Sequence, residues 1–150
     1  MSRIQRSFHK TALAGMVAFG LTSVAFAQTA TPSTGLGQSW PNATDVSASP
    51  QWHVYVFVLN GIKYVQINDL NGNVHAAVGT ANGASIVLPI GVDAPNVSTT
   101  SLPATSSSTQ TVYSDSTTTV TATPQSNGTT KFVSQEMCGD PYNCSGSGAQ

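Results

Sequence analysis

The sequence predicts a mostly β protein whose centre is a four-stranded antiparallel meander over about residues 52–90, and three observations carry that reading. Runs rich in Val, Ile, Tyr and Phe occupy residues 52–59, 62–70, 73–81 and 84–90. Asn-Gly pairs at 60–61, 71–72 and 82–83 separate these runs at a constant spacing of 11 residues. An Asn-Gly pair between strand-forming runs is the strongest short hairpin signal, because a type I′ turn needs positive φ at both central positions. Third, residues 98–130 hold 20 Ser or Thr among 33. Thr is β-branched and favours extended backbone, so this half of the chain is a source of further strands.

The chain divides into five segments. Residues 1–27 read as a secretory signal peptide: Arg3, Arg6 and Lys10 precede an uncharged stretch that ends in the small-x-small triplet Ala25-Phe26-Ala27. That stretch, interrupted by Gly15, Gly20, Thr22 and Ser23, is short and weakly apolar for a membrane span, which needs about 20 apolar residues. The expected address is therefore outside the bacterial cytoplasm, in the periplasm or the medium, with no membrane span left after signal removal. Removing the signal leaves Lys63 and Lys131 against six acids, a formal charge of −4. Eight charged residues in a mature domain are far too few and too acidic for nucleic-acid binding through a basic patch.

Residues 28–51, rich in Thr, Ser, Pro, Ala and Gly, read as a linker or arm whose one bulky point, Trp40-Pro41, is expected to pack against the domain rather than to serve as a ligand platform. The meander core spans 52–95. If all three turns are two-residue loops, Val54, Val56, Val58, Val65, Ile67, Val74, Ala76, Val78 and Val87 share one face, expected to be the core. The other face carries Tyr55, Phe57, Leu59, Ile62, Tyr64, Ala77, Ile86 and Leu88, with Phe57 directly across from Tyr64. Two apolar faces cannot be buried by a meander alone. Their cover has to come from the arm, from later strands, or from a second copy of the chain.

The Ser/Thr-rich segment, 96–130, reads equally as covering strands or as a stalk. If strands, 111–124 forms one pair and Asn127-Gly128 closes a further hairpin. The last segment, 131–150, contains Cys138 and Cys144 around an Asp140-Pro141 turn, expected to be a structural disulfide loop in an oxidising compartment. Their spacing is not that of a redox-active Cys-x-x-Cys pair.

Chemistry has few places to sit. The same register places His53 opposite Asn68 and Asn68 opposite His75, a polar row whose imidazoles are candidate metal ligands. Two ligands are fewer than zinc sites use, so solvation of polar residues at the open end of the sheet is the favoured reading of the row. Asp69 is expected on the other face. No Gly-x-Ser-x-Gly elbow or phosphate-cradling glycine loop is present, and the carboxylates are scattered singly. The reading is a small exported binding or cell-envelope accessory protein, not an enzyme and without a cofactor. Its binding face would be Tyr55, Phe57 and Tyr64, or an edge strand, and its partner a protein or envelope component. The alternative is an exported inhibitor of a hydrolase that inserts either the disulfide tip, with Asp140 and Tyr142, or an Asn-Gly turn. A third is weak metal binding through His53 and His75.

Overall fold

Asn60 and Asn82 adopt positive φ, 51° and 52°, and each precedes a positive-φ glycine, Gly61 at 80° and Gly83 at 75°. These are the expected two-residue turns, whose twist matches that of the flanking strands. They join β1 (Trp52–Leu59) to β2 (Ile62–Asp69) and β3 (Val74–Ala81) to β4 (Ala84–Val87). The resulting register pairs Phe57 with Tyr64 and Val78 with Val87, as expected. The computed structural model describes residues 32–99 and 106–136, all within one unit, Thr31–Gln150. The signal segment and the Cys138–Cys144 loop lie outside the described residues, as do Asp140 and Tyr142.

The middle turn departs from expectation. Asn71 lacks the positive φ of a type I′ turn, and only Gly72, at 85°, has it. Asp69 is the reason. Its carboxylate accepts the backbone N–H groups of Asn71 and Asn73 at 2.9 and 2.8 Å, stabilising a longer loop closed by Asp69 N–H to the Asn73 carbonyl. The extra loop residue shifts the register, so Asn68 pairs with Val74. A β-bulge between Ile67 and Asn68 then restores the expected pairing, with Ile67 opposite Ala76 and Val65 opposite Val78. The two irregularities cancel from Ile67 onward; between them Val74 stands opposite Asn68 and His75 is left as the inserted residue.

The Ser/Thr-rich half supplies strands. A second sheet is built from β5 (Val97–Thr99), β6 (Gln110–Ser114), β7 (Thr118–Pro124) and β8 (Thr130–Glu136), in the order β5-β8-β7-β6. It is mixed, because β5 runs parallel to β8 while the other pairs are antiparallel. A parallel neighbour cannot be joined by a tight hairpin, and here β6 and β7 lie between β5 and β8 in the chain; β5 itself is reached from β4 through the short 3₁₀ turn Ala94–Asn96. Gly91 permits this path. Its φ is +103°, and a Cβ there would collide with the His75 carbonyl.

One core joins the two sheets. Val54, Val65, Ile67, Ala76 and Val78 from the first pack with Val112, Tyr113, Val120, Ala122 and Phe132 from the second. Each large aliphatic or aromatic side chain so buried contributes roughly 1.5–3 kcal/mol. Three expected core positions fall outside it: Val58 and Val87 are 68% and 38% exposed, and Val74 is moved by the register shift to stand opposite Asn68. Val58 lies beside the Asn60-Gly61 turn and Val87 on the edge strand β4, so each is at a margin of this core. Among the described residues no helix is long and apolar enough to cross a membrane.

Residues 32–51 form an arm rather than a free linker. Val46 N–H donates to the Val54 carbonyl and Ala48 N–H to that of Val112, so the arm straps β1 to β6 across the edge of both sheets. Its earlier part, residues 34–42, is a loop closed by the bridge between Thr34 and Asn42.

Candidate functional site

The outer face of the first sheet, the one turned away from the core, divides into a roofed half and an open half. Gln66 and Asn68 stand on it with no exposure at all. A buried amide must find partners, and the arm provides them. Gln66 Nε2 donates to the Gln38 carbonyl at 2.8 Å and Asn68 Nδ2 to that of Ser39 at 2.7 Å. Gly37 N–H returns a bond to Gln66 Oε1 at 2.6 Å, and the two amides bond each other at 2.9 Å. Three of these bonds thus pin the loop that carries Trp40, and the fourth aligns the two amides.

His53 lies opposite Asn68 as expected. It also has a partner that periodicity could not show: its Nδ1 is 2.7 Å from Asp45 Oδ2 in the arm. Asp45 is itself held by the N–H groups of Ser47 and Val54. Burial pushes the Asp45 carboxyl up, but the His53 contact and these backbone donors outweigh it and hold it below the usual range. The imidazole is stacked on Tyr55 at 6.3 Å and meets the edge of Trp40 at 5.6 Å.

His75 does not join this row. The bulge turns it to the inner face, where its ring meets Trp52 at 5.1 Å and Phe132 at 6.4 Å. Its Nδ1 lies 2.7 Å from Asp93 and its Nε2 3.5 Å from Asp69. The expectation that Asp69 points away from His75 is corrected by the same shift. The two histidines are therefore on opposite faces of one sheet and cannot share an ion. Among the described residues, no group of three or more His, Cys, Asp or Glu side chains is arranged to hold a metal. His75 instead clamps the β2–β3 turn to the connection that follows β4.

The proposed binding aromatics divide in the same way. Tyr55 and Phe57 are 6% and 4% exposed, whereas Tyr64 is half-buried. Tyr64 sits opposite Gly79, and a Cβ at Gly79 would lie 3.3 Å from its ring and 3.1 Å from Ile86. That glycine makes room for a row of large side chains on the outer face. Beyond Tyr64, toward the Asn-Gly turns, Leu59 pairs with Ile62, and Leu59 and Ile86 are 61% and 59% exposed.

A polar cluster bridges the two sheets on the inner side. Lys63 Nζ reaches Asp115 at 2.6 Å, and the Thr117 and Thr118 hydroxyls at 2.7 and 2.9 Å. Tyr113 donates its hydroxyl to the same carboxylate at 2.6 Å. Burial first, then this bond and the charge of Asp115, push the Tyr113 phenol well above its ordinary value. Lys63, Asp115 and Glu136 line an open, shallow recess beside the Asn82-Gly83 turn, and Glu136 accepts from the Ser85 hydroxyl. The arrangement neutralises charge and ties β2 to the β6–β7 turn.

Comparison with protein-family models, with curated proteins and with solved structures finds no match for this chain.

Proposed function

We propose that this chain is a small exported, non-enzymatic binding protein of the bacterial periplasm or cell surface, serving as an accessory to the envelope. The observation that carries the reading is the open half of the outer face. Leu59, Ile62, Tyr64 and Ile86 form an apolar patch there, beside β4, which has a neighbour in its sheet only on the β3 side. Strand edges in monomeric proteins are usually guarded by charge, proline or a bulge. β4, with the sequence Ala-Ser-Ile-Val, has none of these within it, so its four residues offer a short edge for pairing. Patch and edge together suit a partner that adds a strand and seats apolar side chains. The contact surface so proposed keeps Tyr64 and replaces Tyr55 and Phe57, which the sheet and arm enclose.

The test uses protein recovered after export from a bacterial host expressing the full chain, with N-terminal sequencing expected to begin at Gln28. Co-sedimentation with isolated envelope fragments is then compared with that of a Leu59→Ser, Ile86→Ser variant. The variant should retain a dispersed amide spectrum and lose about tenfold or more in affinity, the scale of one modest hot spot. Equal sedimentation of both proteins, or of neither, counts against the proposal.

A further inference from the structure

Trp40 is the most firmly placed exposed aromatic among the described residues, and we infer that it is the stacking platform of a binding site for a neutral pyranose ring. Its side chain is 60% exposed. Yet the two carbonyls that precede it in the chain, those of Gln38 and Ser39, are gripped by Gln66 and Asn68, both wholly buried. Fully buried amides directed at the segment carrying an exposed ring fix that ring in space. The core gains little from holding a side chain that stays in water.

The ring is also supported from beneath. A Cβ on Gly72 would lie 2.7, 2.8 and 2.9 Å from three bonded atoms of the indole, so the ring packs directly over this glycine. Gly72 is required twice, by its φ of +85° and by the indole above it. Support on that side leaves the rest of the indole for a ligand. The π face carries negative charge density, so the polarised C–H groups of a sugar ring are suited to lie against it.

The polar surroundings select the ligand class. His53 is in edge contact with Trp40, and its Nδ1 faces Asp45 at 2.7 Å, which leaves Nε2 as the ring nitrogen able to meet a ligand hydroxyl. A sugar hydroxyl is a donor for that position. Asp45 and Asp69 are the charged groups on the adjoining segments, and both are already occupied by backbone and side-chain donors. They repel an anion, and both carboxylates are already turned to the protein's own donors. An uncharged, hydroxyl-rich ring is what remains. This site lies at the opposite end of the outer face from Leu59 and Ile86, so its test is independent of theirs.

The measurement is a titration of the exported protein, observed through the assigned indole N–H signals of Trp40 and Trp52. The probes are a glucose trimer and an N-acetylglucosamine trimer, with phosphocholine and a sulfated oligosaccharide as charged controls. Either neutral trimer should shift Trp40 saturably and leave Trp52 still. Trp40→Ala should weaken binding at least tenfold and Trp40→Phe should restore part of it, with amide spectra otherwise unchanged. The inference is overturned if neither trimer moves the Trp40 signal, if Trp40→Ala binds as the parent does, or if only a charged control binds.

Discussion

Lys63 Nζ and Asp115 Oδ2 meet at 2.6 Å across the space between the two sheets. Lys63 belongs to β2 and Asp115 to the turn between β6 and β7, so this ion pair fastens elements 52 residues apart. Burial raises the Asp115 carboxyl, but bonds from Lys63, Tyr113 and the N–H groups of Thr117 and Thr118 outweigh it and hold the group far below the carboxylate range. A carboxyl depressed on folding stabilises above its unfolded pKa, and that stability is lost as pH falls through the folded value. Lys63→Met should therefore cost about 1–2 kcal/mol at neutral pH, since the pair is partly solvent-screened. The cost should shrink in strong acid, as read from urea midpoints at both pH values.

Asp69 predicts a second acid-sensitive contact. Burial pushes its carboxyl up, yet the Asn73 side chain, the N–H groups of Asn73 and Asn71, and His75 bring it from 3.8 to about 2. Its contribution is complete above about pH 4 and disappears toward about pH 2. Asp69→Asn should flatten thermal stability across that window and lower it at pH 7. A variant whose melting temperature tracks the parent's through the window would contradict this.

Asn68 sits under the arm, and its replacement should loosen the arm before the core. Asn68→Ala leaves the Ser39 carbonyl without its 2.7 Å donor and opens a space in a fully buried position. The expected cost is about 2–3 kcal/mol. Amide exchange should accelerate first at residues 36–42, while β2 and β8 keep their protection. Uniform acceleration across both sheets would show that the arm and the core open as one unit.

Ser134 predicts a gain. Its hydroxyl is buried on β8 with no hydrogen-bond partner. An unsatisfied buried polar group costs on the order of 1–3 kcal/mol, so Ser134→Ala should raise stability by about 1 kcal/mol after the small cavity is counted. A fall in the denaturation midpoint would mean that the hydroxyl is satisfied in solution.

Much of the first sheet was legible because its signals are local. Asn60-Gly61 and Asn82-Gly83 set their own turns, and turn length sets register, which is why Phe57 faces Tyr64 and Val78 faces Val87. Covering strands and a stalk were equally readable in the Ser/Thr-rich half, and the structure forms strands over 110–114, 118–124 and 130–136. The site was less legible. Asp69 captures two backbone N–H groups and lengthens its turn by one residue, and a one-residue change moves a side chain to the other face. His75 therefore left the row that His53 and Asn68 share.

By itself, then, the sequence determined the β class, the meander, two of its turns and most of its pairing, because backbone preference at Asn-Gly and alternation along strands act over a few residues. Only the tertiary structure decided that a second sheet covers the valine-rich face and that the arm covers part of the other. It alone paired His53 with Asp45 and His75 with Asp93, closed Tyr55 and Phe57 off, and left Trp40 and Leu59 in the open. These outcomes depend on which distant segments compete to cover each surface and satisfy each buried polar group, and no local pattern encodes the winner.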